Sequence, residues 1–316
     1  MAALRGESSF SMAAAAPAPA PMEPCSALTK GADPGSTPGS PLARDLLTQV
    51  ILKGAEAGWY PEWFNKGDVV PLPKGGDRRS LSNKRPITLL NSMYKIYTKA
   101  LQGRIVPILQ KLISWNQSAF LPGRNTHTSV LTCNEALHVA RNSVKDFILL
   151  QLDFKKAFDS VNWLFVTEAL KAFKFGERFQ KYIRAILSTA ASAIIVNGRR
   201  NKVVKITRSV RQGCPLSPLL FILVTQTLTV VIEQEVAAGR IQGIYLEKAN
   251  MHYCLGLYAD DSHMILGAKK EGATQTKNLL DSFANATGLQ IQWNKFTARW
   301  IGPNGSSKPR WVEELT

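Results

Sequence analysis

Two adjacent carboxylates, Asp260 and Asp261, stand between the apolar stretches Tyr253 to Tyr258 and His263 to Leu266. That pattern predicts a hairpin with buried arms and an acidic tip. Aspartate is a favoured turn residue, so the pair alone reads equally well as a polar surface turn. A third acid shifts the balance. Asp153 ends the apolar run that begins at Phe147, the pattern of a strand buried on both faces. Carboxylates converging at strand ends repel one another unless cations neutralise them. Hard oxygen donors favour Mg²⁺ or Mn²⁺ over zinc. Two such ions, about 3.5 to 4 Å apart, activate an attacking hydroxyl and stabilise a leaving oxygen, which is phosphoryl-transfer chemistry.

Composition agrees with a phosphate-bearing partner. Among 316 residues, 39 Lys and Arg against 23 Asp and Glu give a net charge of +16, which predicts a polyanion. With 45% hydrophobic residues the chain buries a core, which excludes a wholly disordered basic tail. The longest uninterrupted apolar run, Leu219 to Val224, is far shorter than a bilayer-spanning segment, and no membrane role is expected. Cys25, Cys133, Cys214 and Cys254 lie far apart, with neither zinc-site nor disulfide spacing.

The acids need elements to hold them. Residues 1–41 are rich in Ala, Pro and Gly without an apolar face, and are expected to be a disordered extension. A mixed α/β pattern follows. Helices are expected over Ala43–Ala57, Ile87–Leu112, Thr128–Val144, Val161–Phe175 (capped by Asp159-Ser160 and stopped by Gly176), Leu216–Val236 and Ala273–Thr287. Asp68–Pro73 reads as an edge strand, because Pro71 and Pro73 cannot donate to a central ladder. Asn197-Gly198 predicts a hairpin between Ala193–Val196 and Val203–Thr207, and a last strand is expected over Leu289–Trp293.

These residues also carry a resemblance. Tyr258-Ala259-Asp260-Asp261 resembles the Tyr-x-Asp-Asp hairpin of reverse transcriptases, and Leu152 to Val161 resembles their first palm motif. Val210 to Leu220 is similar to the motif between them. Arg85-Pro86-Ile87 with Leu89-Leu90-Asn91, and Gln117 to Arg124, resemble finger segments of non-long-terminal-repeat (LINE-type) retrotransposon enzymes, especially those of plants. The similarity runs from about residue 42 to 303.

The resemblance implies an α/β (α+β) chain with right-hand polymerase fingers and palm over residues 42–303, an antiparallel palm sheet and a tail over 304–316. It implies RNA-directed DNA polymerase activity, with nucleotidyl transfer to a primer 3′-hydroxyl. Asp153, Asp260 and Asp261 would bind two Mg²⁺ or Mn²⁺ ions, and Lys295 would act as general acid to the leaving pyrophosphate. Lys74, Arg85, Phe154 (through its carbonyl), Phe158 (as a gate against ribose), Gln212 and Gly213 would face the nucleotide. Arg124 and Tyr258 would meet nucleic acid. An RNA template, a DNA primer and deoxynucleoside triphosphates are the implied partners. Phe296 departs from the family's usual Ser after the lysine. The basic pairs Arg78-Arg79, Lys155-Lys156, Arg199-Arg200 and Lys269-Lys270 fit a cleft that follows phosphates. A thumb is largely absent from this reading, as is an endonuclease, so either could be supplied by another chain. A nuclear or cytoplasmic location is expected, neither secreted nor membrane-bound. The alternative is an inactive retroelement remnant that only binds nucleic acid.

Overall fold

The computed structural model describes residues 41–77, 79–80 and 83–302. In chain order these form α1 (Pro41–Ala57), α2 (Glu62–Asn65), β1 (Lys66–Pro73), β2 (Lys84–Leu90), α3 (Ser92–Leu112), α4 (Thr126–Arg141), β3 (Phe147–Asp153), α5 (Ala157–Ser160), α6 (Trp163–Ala172), α7 (Glu177–Ser188), β4 (Ala191–Val196), β5 (Arg199–Lys205), α8 (Ser217–Ala237), β6 (Ile244–Leu246), β7 (Met251–Tyr253), β8 (Leu255–Tyr258), β9 (Asp261–Gly267), α9 (Lys270–Thr287) and β10 (Thr297–Ile301). Apart from Pro41, the expected N-terminal extension lies outside the described residues, as do the 304–316 tail and Arg78.

One four-stranded sheet has the order β10-β3-β9-β8, and every neighbouring pair in it is antiparallel. The apolar run of β3 earns its inner place by serving two cores: Ile148, Leu150 and Leu152 join the main one, Phe147 and Leu149 a smaller one beside α4. The main core is built on α8, whose Leu219 to Val224 are all 2% exposed or less. By length and composition α8 could cross a membrane, but most of it is buried in the fold, as befits a central core helix.

The second sheet has the order β2-β1-β4-β5. The edge-strand expectation for β1 holds for only half of its length. Lys66 to Val69 pair in parallel with β4, and Gly67 to Val69 also pair with β2, so this half is internal. Pro71 and Pro73 fall beyond the β4 pairing, where a missing N–H costs no second ladder. Ile87–Leu90 is strand instead of helix: Thr88 and Leu90 are buried while Leu89 is exposed, and β2 pairs with β1 from Lys84 to Leu90. The helix starts only where the Asn91 side chain accepts from the Met93 N–H.

Three further boundaries move. Asn162, not Asp159-Ser160, caps α6, accepting from the Leu164 N–H; Asp159 and Ser160 form the separate turn α5. Gly176 does not merely stop a helix but precedes α7, which has its own amphipathic pattern of buried Phe179, Ile183 and Ile186. The expected Leu289–Trp293 strand reduces to one bridge, Ile291 to Phe154, followed by a 3₁₀ turn over Trp293–Lys295. The strand that does flank β3 is β10, further along the chain. The Asn197-Gly198 hairpin is as expected, with φ of +51° and +73°.

Candidate active site

The end of β3 and the start of β9 bring two of the three acids together. Asp153 lies opposite Asp261 in the antiparallel register, and Tyr258 of β8 also pairs with Asp261. The turn is therefore Ala259-Asp260 alone, with Asp261 already in the strand. Ala259 has φ +56°, a left-handed conformation costing a non-glycine residue about 1–2 kcal/mol. Opposed residues of an antiparallel pair share a face, with Cβ atoms about 4.5–5.5 Å apart. The neighbouring pair, Leu152 and Ser262, is buried, and the Ser262 hydroxyl donates to the Leu152 carbonyl at 3.4 Å.

Crowding of like charge shows in the acidity. Partial burial, then the charges of Asp260 and Asp153, push the Asp261 carboxyl above its ordinary range, and Lys295 opposes them. Lys295, on the 3₁₀ turn, donates from Nζ to Asp153 Oδ2 at 2.6 Å, and that hydrogen bond is the main cause raising its own pKa. Among the described residues no three His, Cys, Asp or Glu side chains are drawn into a ready metal cluster. The donors are nonetheless hard oxygens in excess negative charge, with an ammonium drawn onto one of them, a set suited to hard divalent cations. Asp153, Asp261, Tyr258, His263, Lys295 and Arg299 line part of a groove of about 670 Å³ between the sheet and α4.

The nucleotide-facing candidates sit on the other elements. Phe154 is 2% exposed, its ring centroid 6.3 Å from that of Phe283, and its backbone bridges to Ile291. Phe158 stacks on Phe221 of α8 at 4.8 Å and 12°. It also meets Phe120 edge-on at 6.3 Å, a contact from the loop after α3 that sequence patterning does not reveal. Gln212 and Gly213 dock on β2: the Thr88 N–H donates to the Gln212 carbonyl at 3.0 Å. Gly213 has φ +108°, and a Cβ there would fall 2.6 Å from the Thr88 carbonyl oxygen, so glycine is required twice over. Lys74 and Arg85 are exposed at the far end of the β1–β2 hairpin. Asp159 is raised by burial, while Lys156 and then Lys74 act to lower it, so Lys74 stands within electrostatic reach of α5.

Two cations do not stand where expected. Arg124, expected against a template backbone, turns inward and donates to the carbonyls of Ile113 (2.6 Å), Ser114 (2.5 Å) and Gln117 (2.7 Å). It clamps the loop carrying Phe120. Of the basic pairs, Arg200 is engaged in a bidentate ion pair with Asp68. A third cation, Arg211, is 6% exposed and was missed, because a basic residue beside Gln212 reads as surface charge.

The family described as reverse transcriptase (RNA-dependent DNA polymerase) matches residues 72–308. The chain is 30% identical over 247 residues to the transposon TX1 uncharacterized 149 kDa protein of Xenopus laevis, covering 78% of this chain and 18% of that protein. It is 29% identical to the Pol polyprotein from the type-1 retrotransposable element R2 of Popillia japonica, covering 53% and 24%. With the polyprotein from the type-2 element R2DM of Drosophila melanogaster, identity is 25%, covering 87% and 25%. The chain thus spans about a fifth to a quarter of the length of these relatives. The structure of telomerase from Candida tropicalis in complex with the TWJ fragment of telomeric RNA superposes with a TM-score of 0.53 at 14% identity, over 84% of this chain and 45% of that one. At such identity the likeness concerns the fold.

Proposed function

This chain belongs to the reverse transcriptase (RNA-dependent DNA polymerase) family, in its LINE-type form, and from that premise we propose that residues 42–303 act as fingers and palm that copy an RNA template into DNA. The observation that carries the reading is Asp153 facing Asp261 at the end of an antiparallel palm sheet, with Asp260 at the adjoining tip. When bound, a pair of Mg²⁺ or Mn²⁺ ions held by Asp153, Asp260 and Asp261 would supply activation of the primer hydroxyl and neutralisation of phosphate charge.

The remaining roles fall to the chain's own groups. Lys74 and Arg85 bind the triphosphate of the incoming deoxynucleotide. Phe158, braced by Phe221 and Phe120, presents a ring edge that excludes a ribose 2′-hydroxyl. Gln212 and Gly213 lie against the nucleotide and template base, where the absence of a side chain at Gly213 allows close approach. Lys295 holds a proton on Nζ for the departing pyrophosphate oxygen. Tyr258 lies beside the primer end, and Arg124 supports the reaction only by fixing its loop. The substrates are an RNA template, a DNA primer and deoxynucleoside triphosphates, met in the nucleus or cytoplasm.

Primer extension on poly(rA)/oligo(dT) with Mg²⁺ or Mn²⁺ tests this. Wild type is expected to give product, and Asp260→Asn with Asp261→Asn to give none. Salt-sensitive RNA binding without any extension by wild type would refute it.

A further inference from the structure

Arg211 has no part in the chemistry above, yet its surroundings are unusual for a cation. Its guanidinium donates from Nη1 to the Asn65 carbonyl at 2.7 Å and from Nη2 to Asn65 Oδ1. It also lies 4.6 Å from the centroid of the Tyr94 ring. Among the described residues no carboxylate pairs with it. Burying a charge without a counter-ion is costly, and a well-packed apolar side chain often holds such a place at lower cost. What a guanidinium provides instead is direction: a rigid fork that fixes two acceptors, and a plane that stacks on an aromatic face.

Each partner of Arg211 is itself fixed. Asn65 is fully buried, and its Nδ2 donates to the Ile186 carbonyl at 2.6 Å and to Thr189 Oγ1 at 2.7 Å. One amide thus ties Arg211 to the start of β1 and to the end of α7. The Tyr94 hydroxyl lies 3.5 Å from Cys214 Sγ, which closes a ring from α3 back onto the segment that carries Arg211. On the other side of the segment, the Thr88 N–H holds the Gln212 carbonyl. Residues 210–214 are therefore pinned from both sides, and the peptide between the pins is the one assigned to the incoming nucleotide.

We propose that Arg211 is a positioning residue: by forking onto Asn65 and stacking on Tyr94 it sets where Gln212 and Gly213 stand, and so sets the affinity for the incoming deoxynucleotide. This rests on the polymerase reading of Gln212 and Gly213. Lysine keeps the charge and can approach the ring, but it cannot fork; methionine keeps the volume and loses both.

Two readouts keep the inference separate from the reading beneath it. Amide hydrogen exchange needs no catalysis. In Arg211→Lys, peptides spanning 86–91 and 209–216 are expected to exchange about tenfold faster, the scale of one lost charge-assisted hydrogen bond, while β3 and β9 keep wild-type protection. In primer extension, the KM for dTTP is expected to rise about tenfold with kcat within about threefold. Primer-template affinity should be unchanged, and Arg211→Met should be worse than Arg211→Lys. Unchanged exchange in Arg211→Lys, or acceleration spread evenly over the chain, overturns the inference. So does a fall in kcat with KM unaltered. If wild type extends no primer, the polymerase reading fails, and with it the link to nucleotide affinity, while exchange still decides whether Arg211 holds the segment. If Arg211→Met does not fold, Arg211→Lys decides.

Discussion

Replacing Gly213 by alanine probes the contact between the 210–214 segment and the fingers most sharply. The new Cβ would sit 2.6 Å from the Thr88 carbonyl oxygen, at a φ of +108°. The backbone conformation alone costs alanine about 1–2 kcal/mol. Relieving the clash means moving the segment off β2, which loses the Thr88 to Gln212 hydrogen bond, worth a further ~1 kcal/mol. Residual strain brings the total to roughly 2–4 kcal/mol, within the range a domain of this size survives. Gly123→Ala is the control, because its φ is +78° with nothing within 4 Å of the new Cβ; it should lose only about 1 kcal/mol. Urea denaturation at constant m separates the two. Primer extension by Gly213→Ala should fall about a hundredfold or more, while Gly123→Ala keeps most of its activity. Equal stability losses in the two variants, with extension intact in Gly213→Ala, would show that the segment does not need its close approach to β2.

Three other perturbations follow from the same geometry. Arg124→Met should destabilise by about 1–3 kcal/mol, because three carbonyls lose their donor, yet leave the salt dependence of template binding unchanged; a shallower salt slope would restore Arg124 to the template. Phe158→Ala should admit ribonucleotides, raising the ratio of UTP to dTTP incorporation at least tenfold, and an unchanged ratio would remove Phe158 as the gate. Since Asp261 is raised above its ordinary value, its ionisation opposes folding as pH climbs from the usual Asp range through the raised value. Asp261→Asn should therefore be more stable than wild type at pH 7 in metal-free buffer. The difference should close below the ordinary Asp range; urea melts at both pH values check it.

The site was more legible in the sequence than the frame around it. Asp153, Asp260 and Asp261 stand out because acids ending apolar runs demand a reason, and the register sets Asp153 opposite Asp261. Lys295 stands out in the sequence only by resemblance, and the fold joins it to Asp153 by a hydrogen bond. Boundaries failed where two patterns overlap. Ile87 to Leu90 are apolar enough to extend the period of α3, and only pairing with β1 makes them strand. Leu289 to Trp293 look like a strand, but β3 ends opposite them after a single bridge. The contacts of Arg124 and Arg211 could not be read from the sequence, because a guanidinium donating to carbonyls or stacking on a ring leaves no complementary acid there.

We propose that Asp153, Asp260 and Asp261 form one polymerase centre. Single-turnover incorporation of dTTP on poly(rA)/oligo(dT), followed by both product and pyrophosphate, tests it most directly. Wild type should release one pyrophosphate per nucleotide added, and Asp153→Asn should lose about a thousandfold or more with primer-template binding retained. Incorporation that survives Asp153→Asn, or a wild type that binds the duplex and adds nothing, would contradict it.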